Sequence, residues 1–421
     1  MNIFLQELKD RELIKQTTNE NKISELLDSG TSLYCGFDPT ADSLHVGSLL
    51  PLITLLRFKR AGHNIIPLLG GATGMIGDPS FKSQERKLND IDTISNFKEG
   101  IKTQIQHILG EVNIVDNLEW TSNLNILSFL RDFGKHFTVN TMINKDSVKS
   151  RIEREEQGIS FTEFTYQILQ AMDFHHLFKN KGCALQLGGS DQWGNIISGI
   201  DLIHKMEGND VPVGAITLPL LMKSNGEKFG KSESGAIWLS AKKTSPIEFF
   251  QFWLNISDDE VKQFFKMLSF KSIEEIEQIF KDDENRSKPL AQRILAEELT
   301  SLVHGEHELI KINRVLKSLF SGDVSELTRD DFSEIERSGT KTLIVSADDD
   351  LINIVVKSGL ATSRTRAREF ILNGAIKVNG EKLLFNKEDN LNGVMFNNFS
   401  FEQFAIFQRG KQEIRLIKKH G

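Results

Sequence analysis

The chain has 421 residues, 39% of them hydrophobic and 26% charged, enough for two or three globular domains. No run of about 18 apolar residues appears, which excludes a hydrophobic membrane-spanning helix, and the first ten residues lack the apolar core of a signal peptide. The only cysteines, Cys35 and Cys183, exclude a disulfide framework and point to a reducing, cytoplasmic setting; no Cys or His spacing fits zinc, so no protein-bound metal site is expected.

In chain order, residues 31–37 read as a short buried strand. Val46–Arg60 has apolar residues at helical spacing and ends in a basic turn before Gly62. Ile65–Leu69 reads as a second strand running into Gly70-Gly-Ala-Thr-Gly74. Strand, helix, strand with glycines at the strand ends predicts a parallel α/β sheet, whose ligands sit at the carboxyl ends of the strands. Residues 90–160 read as mostly helical and polar, and Glu163–Phe178 as a helix. Cys183–Leu187 is another predicted strand, ending in Gly188-Gly-Ser-Asp-Gln-Trp193. An α/β domain is therefore expected over 1–240, a separate helical domain over 245–321, a linker over 322–349 in which Thr340–Ala347 could form a strand, and a small α+β module over 350–421. Within that module the charge changes sign: twelve Lys and Arg against six Asp and Glu give +6 over 351–421. The whole chain carries −7, which leaves −13 for the rest. A basic module on an acidic body suits a nucleic-acid partner, because attraction to phosphate is local.

Two loops carry the most chemistry. In Asp38-Pro-Thr-Ala-Asp-Ser-Leu-His-Val-Gly-Ser48, His45 is expected in the first turn of the helix that follows, where free N–H groups and the helix dipole favour an anion; Thr40 can donate from the preceding loop. Gly47 allows close approach to the backbone. Alone, this also fits a capped core helix with an incidental His. Lys228-Phe-Gly-Lys-Ser232 follows an Asn225-Gly226 turn, and Gly226 and Gly230 allow a mobile loop over 226–236 whose lysines close on a pyrophosphate. It does not end a P-loop, since position 225 is Asn and Gly235-Ala-Ile-Trp-Leu looks extended.

Tyr166, Gln170 and Asp173 are spaced i, i+4, i+7, a polar stripe on one helix face. The chain has 29 Phe and two Tyr, Tyr34 and Tyr166, so the two ring hydroxyls it keeps are candidates for specific hydrogen bonds. Asp78, after a glycine-rich turn, could hold an ammonium group or cap a helix. Asp191 and Gln192 follow another glycine pair and could meet ribose hydroxyls and a carbonyl. Lys82 and Arg86, at i, i+4, could face a phosphate or water. His175 and His176 read as helix surface, and Cys183 as core. Arg364, Arg366 and Arg368 fall at the start of a helix and can fork onto RNA phosphates; Ala375–Val378 with Asn379-Gly380 predicts a hairpin.

Asp38–Ser48 and Lys228–Ser232 resemble the two signature motifs of class I aminoacyl-tRNA synthetases. Tyr34-Cys-Gly-Phe-Asp-Pro-Thr40, Gly70-Gly-Ala-Thr-Gly74, Ile76-Gly-Asp-Pro-Ser80, Leu187–Asn195 and Leu302-Val-His-Gly-Glu306 are similar to the bacterial-type tyrosyl-tRNA synthetases in particular, from about residue 3 to the end. The resemblance implies a Rossmann-like parallel-sheet catalytic domain, then an all-α domain and a small α+β module similar to an S4 RNA-binding domain. It implies a tyrosine–tRNA ligase using L-tyrosine, ATP with Mg²⁺, and tRNA(Tyr). Tyr34 and Asp173 would bind the substrate phenol; Asp78, Tyr166 and Gln170 its ammonium group; Gln192 its carboxyl group. Cys35 and Asp191 would contact the ATP ribose, with Gly36, Asp38, Gly47, Ser48 and Gly189 completing the nucleotide site. Thr40 and His45 would hold the phosphates, and Lys82, Arg86, Lys228 and Lys231 the leaving pyrophosphate. A homodimer with its interface within 110–165 is also implied. One departure stands out: the family's first motif commonly ends in a second His, and Ser48 stands there, from which weaker ATP binding is expected.

Overall fold

The computed structural model describes residues 2–420 except 81–88, 146–147, 150–151, 153–157, 223–225, 227–228, 233–234, 284–289, 322, 347, 384, 387 and 411–412. These residues form two compact units, Met1–Ser240 with Asn255–Leu295 and Ala241–Leu254 with Ala296–Gly421.

The first unit is built on strands β1 (Gln16–Thr17), β2 (Ser32–Phe37), β3 (Asn64–Leu69), β4 (Val115–Asp116), β5 (Cys183–Gly189) and β6 (Gly214–Leu218). Their order is β1-β6-β5-β2-β3-β4, parallel throughout except where β1 pairs with β6. In β3 every residue after Asn64 is buried, as are all five of β6, the mark of a sheet covered on both faces. The chain leaves β2 toward β3 on one side, while β5 and β6 lie on the other. The crevice at that divergence, beyond the carboxyl ends of β2 and β5, is where such a sheet receives a ligand.

Four helices bear on this crevice: α1 (Leu49–Arg60), α2 (Ile91–Leu109), α3 (Phe161–Lys181) and α4 (Trp193–Glu207). In α2, Ile94, Ile101, Ile105 and Ile108 form the buried stripe, with Asp90 as N-cap. Ser160 caps α3 by accepting from the Glu163 N–H, and Gly182, left-handed at φ 62°, ends it. Gly199 of α4 faces Phe174: a Cβ there would lie 3.1 Å from the ring, so glycine lets α3 and α4 pack closely. The expected helix over 46–60 begins with a 3-10 turn, Val46–Ser48, before α1.

The helices expected as one domain over 245–321 divide between the units. Pro246–Leu254 belongs to the second, while Asp258–Leu268 and Ile273–Asp283 pack in the first. Buried Arg11 donates to the carbonyls of Lys266 and Ser269 at 3.2 Å and of Lys271 at 2.7 Å, and buried Arg57 also donates to Ser269. Both arginines thus satisfy carbonyls at and just beyond the end of Asp258–Leu268, and the Arg60 guanidinium stacks 3.8 Å from the Phe270 ring centroid. Helical periodicity carries no trace of such long-range pairs.

The stretch expected as a linker is largely folded. Thr328 and Asp331 form a capping box for the helix Arg329–Arg337, and buried Asp331 takes a forked contact from Arg314 at 2.8–3.0 Å. With the two-stranded β7 (Lys231–Ser232) and β8 (Gly235–Ala236) of the first unit counted, the next strand is β9 (Thr342–Val345). It joins β10 (Ile376–Val378), β11 (Glu381–Lys382), β12 (Phe404–Arg409) and β13 (Glu413–Lys419) in the order β11-β10-β12-β13-β9. The Asn379-Gly380 hairpin forms as expected between β10 and β11, both turn residues having positive φ, 50° and 87°. No helix among the described residues is long and apolar enough to cross a membrane.

Candidate active site

A cavity of about 450 Å³ opens at the carboxyl ends of β2, β3 and β5. Its lining includes Tyr34, Cys35, Gly36, Asp38 and Thr40 from β2 and the following loop, and His45, Gly47 and Ser48 from the turn before α1. Asp78 follows β3; Tyr166, Gln170 and Asp173 come from α3; and Gly189, Asp191 and Gln192 come from the end of β5. The stripe on α3 therefore faces a cavity and not solvent.

At one end lies Asp173, 2% exposed. Its two oxygens accept from the Asn117 amide and the Trp120 indole N–H, each at 2.9 Å. Burial raises its pKa to about 7, although the hydrogen bonds from Asn117 and Trp120 pull the other way. Tyr34 sits beside it on β2, 1% exposed, and its hydroxyl has no hydrogen-bond partner among the described residues. Burial, then the nearby Asp173 charge, keeps that phenol protonated well above its ordinary range. A buried donor-acceptor without a partner, next to a carboxylate, is chemically suited to a hydroxyl. Neither Asn117 nor Trp120 was singled out from sequence: Asn117 follows a two-residue strand, and Trp120 sits in a four-residue helix, Leu118–Thr121.

A second carboxylate cluster lies along the wall. Asp78 accepts from Gln192 at 2.7 Å, and Asn195, 5% exposed on α4, donates to Gln170 at 3.2 Å. Asp38 accepts from the Tyr166 hydroxyl at 2.8 Å and from Thr73 at 2.7 Å. Gly70 makes this possible, since a Cβ there would lie 2.0 Å from the Asp38 carboxylate. Asp38, Asp78 and Asp173 together make this end of the cavity attractive to a cation.

His45 is found ahead of the first turn and not within it. Its backbone is extended, and its Nδ1 accepts from the Gly47 N–H at 3.0 Å. The neutral ring then carries its proton on Nε2, a donor suited to an anion. Gly47 is needed for this fold-back, because a Cβ would lie 2.7 Å from the His45 ring. The other signature segment reaches the same place: a Cβ on Gly230 would lie 3.6 Å from the Gly47 nitrogen, and Gly230 has φ 100°. Gly36 has open space where a Cβ would project, leaving room for a ligand. The Cys35 thiol is pushed up to about 12 by burial and is no nucleophile.

Lys82, Arg86 and Lys228 lie outside the described residues, as does the side chain of Lys231, whose backbone begins β7. His175 is not surface as expected. It is 7% exposed and its Nε2 pairs with Glu207 of α4 at 2.7 Å, while His176 stacks on Trp120 with ring centroids 4.2 Å apart. Cys183 is in the core. In the second unit, Arg364 contacts Asn353 and lies 3.2 Å from Asp350, Arg366 pairs with Glu369 at 2.8 Å, and Arg368 donates to Asn392 at 2.6 Å.

Comparison with known proteins identifies the family. A family model described as "tRNA synthetases class I (W and Y)" matches residues 28–321, and the "Tyrosine--tRNA ligase SYY-like C-terminal domain" matches 331–417. The chain is 48% identical to tyrosine–tRNA ligase 1 of Vibrio parahaemolyticus, over 99% of each chain. It is 47% identical to the tyrosine–tRNA ligase of Yersinia pseudotuberculosis, over 98% of each. A C-terminally truncated mitochondrial tyrosyl-tRNA synthetase of Aspergillus nidulans has the same fold at a TM-score of 0.68 and 31% identity, over 75% of this chain and 94% of that one. The chain belongs to the tyrosine–tRNA ligase family of class I tRNA synthetases.

Proposed function

We propose that the cavity binds L-tyrosine with its phenol against Tyr34 and Asp173 and its ammonium group among Asp78, Tyr166 and Gln170, with ATP toward His45. A tyrosine carboxylate oxygen attacks the α-phosphorus in line, the bond from that phosphorus to the α–β bridging oxygen breaks, and pyrophosphate leaves. A hydroxyl of the terminal ribose of tRNA(Tyr) then attacks the acyl carbon, and AMP leaves. No side chain acts as a nucleophile; the residues position the reactants and stabilise charge. Gln192 orients the carboxylate. Cys35, Gly36, Asp38, Gly47, Ser48, Gly189 and Asp191 take the nucleoside. Thr40, the His45 Nε2–H, Lys82, Arg86, Lys228 and Lys231 meet the phosphates. Mg²⁺ arrives with the ATP as part of that substrate.

The observation that carries this reading is a buried Tyr34 hydroxyl, without a partner among the described residues, in the same cavity as the Asp173 carboxylate and His45. A bound phenylalanine would leave the buried Tyr34 hydroxyl without a partner and offer Asp173 no donor beyond Asn117 and Trp120; a buried unsatisfied polar group costs about 1–3 kcal/mol. ATP–pyrophosphate exchange measured with tyrosine, phenylalanine and tryptophan in turn tests it. Exchange with tyrosine alone is expected; equal exchange with tryptophan, or none with tyrosine, removes it.

The intact chain acts in the cytoplasm as a homodimer. Ile126, Leu127, Val139 and Phe161 are 72%, 75%, 59% and 75% exposed, an apolar set within the expected interface over 110–165 that supports association. Sedimentation equilibrium is expected to give twice the chain's 47.6 kDa; a monomer at micromolar concentration contradicts it. The arginines at 364, 366 and 368 contact tRNA. Glu369 and Asn392, the partners of Arg366 and Arg368, are exposed, and exposed pairs of this kind are weak enough to exchange for phosphate; Arg364 is exposed itself but is paired with buried Asp350.

A further inference from the structure

Helix α2 lies outside both signature segments, yet it holds the first of them in place. Gly100 and Gln104 are i, i+4 and so share one face of α2. A Cβ on Gly100 would lie 2.3 Å from the Asp42 carbonyl oxygen, so only glycine lets the helix come this close to the loop. That approach delivers the Gln104 side chain to Ser43 and Leu44. Its Oε1 accepts from the Leu44 N–H at 2.8 Å and its Nε2 donates to the Ser43 hydroxyl oxygen at 2.8 Å. The orientation of the amide is dictated by its partners, because a backbone N–H can only donate.

The loop is held by a second segment as well. The Ser43 hydroxyl accepts from the Ser240 N–H at 3.2 Å and donates to the Leu44 carbonyl at 2.8 Å, so every hydrogen-bonding capacity it has is used. The Leu44 carbonyl also accepts from Leu239, and the Val46 N–H donates to Ile237 at 2.9 Å. His45 thus forms an antiparallel bridge with Trp238, flanked by the Leu44 and Val46 bonds to Leu239 and Ile237, while the glutamine amide holds Ser43 and Leu44 just before it. His45 sits between the two pinned residues, Leu44 and Val46.

We propose that Gln104 is a positioning residue for adenylate formation, acting by fixing the backbone from which His45 reaches the ATP phosphates. This rests on the assignment of His45 to the phosphates. Gln104 touches neither substrate. Its removal should leave tyrosine binding alone, since the phenol pocket is built on α3 and β2, and should slow the step in which charge moves onto pyrophosphate.

The test is Gln104→Met, which keeps the length of the side chain and removes both hydrogen bonds. The expected result is an adenylation rate roughly 10- to 100-fold lower, the scale reached when a group is misplaced by about an ångström, with tyrosine affinity unchanged. In a His45→Ala background the same substitution should add almost nothing, because residues acting through one another are not additive. A purely structural role would produce the same loss in both backgrounds, and that result overturns the inference. If Gln104→Met does not fold, Gln104→Glu decides: it keeps the acceptor for Leu44 and loses the donor to Ser43, and an adenylation rate equal to the parent's would overturn the proposal. No tyrosine-dependent exchange by the parent, or full activity in His45→Ala, would remove the phosphate assignment and this inference together. An active parent, an impaired His45→Ala and a fully active Gln104→Met would remove this inference alone.

Discussion

Asp173→Ala is expected to lower kcat/KM for tyrosine by about 30- to 150-fold, and Tyr34→Phe by only about fivefold. The first removes a hydrogen bond to a charged acceptor, about 2–3 kcal/mol; the second removes a neutral one, about 1 kcal/mol. Both groups are buried, so neither loss is repaired by water. Asp173→Ala also strands the Asn117 and Trp120 donors that now end on its oxygens. The reverse order of effects would contradict the assignment. A pH profile of the parent supplies an independent check. Because burial has raised the Asp173 pKa to about 7, and a phenol donates best to the ionised carboxylate, tyrosine affinity without ATP is full above about pH 7. It falls as pH drops below that value, by at most about tenfold per unit. Stability of the free protein has the opposite sign. The folded pKa lies above the unfolded value of about 3.9, so Asp173 contributes stability that is present below about pH 4 and lost as pH rises through about 7. Tyrosine titrations between about pH 6 and about pH 8 check the first trend, and an affinity that falls with rising pH would sink it.

Lys231→Ala is expected to slow adenylate formation by about 100- to 1,000-fold while tyrosine affinity stays at the parental value. Loss of one preorganised donor at a developing charge costs about 3–4 kcal/mol of transition-state stabilisation. Lys231 begins β7 directly after Gly230, whose backbone lies against Gly47 and so beside His45. Gly226, Gly230 and Gly235 all have positive φ, at 81°, 100° and 117°, conformations that glycine adopts without strain. A lysine there meets a charge that grows only as pyrophosphate departs, and interactions made only then raise kcat and leave ground-state binding alone. Stopped-flow adenylation alongside equilibrium tyrosine binding separates the two. Equal losses in rate and in tyrosine affinity would place Lys231 in the ground-state pocket.

The elements that the sequence displays are those whose signal lies within a few consecutive residues. β2, β3 and β5 are apolar runs closed by glycines, α3 is a long periodic segment with a Ser cap and a terminal Gly, and Asn379-Gly380 is a turn whose positive φ values those residue types favour. β1 and β4 escaped because two residues carry no pattern, and β6 because Gly214-Ala-Ile-Thr-Leu218 is only partly apolar and no glycine closes it. The helices Asp258–Leu268 and Ile273–Asp283 read as part of one helical domain over 245–321 because nothing in their periodicity reveals that Arg11 and Arg57 satisfy the carbonyls around residues 266–271.

By itself the sequence determined which side chains were available for the chemistry. These were a polar stripe on one helix, two tyrosines among many phenylalanines, and a His-Val-Gly turn and a Lys-Phe-Gly-Lys segment that could meet phosphates. Tertiary structure alone decided their state. Asp173 acquires a pKa near neutrality because the fold removes it from water, and this outweighs the opposing hydrogen bonds from Asn117 and Trp120, more than fifty residues earlier in the chain. His45 presents its Nε2 because Gly47 lies under its ring, and its backbone is held from one side by a glutamine on another helix. Residue identity and local propensity act along the chain; desolvation and hydrogen-bond direction act through space and exist only once distant segments have packed.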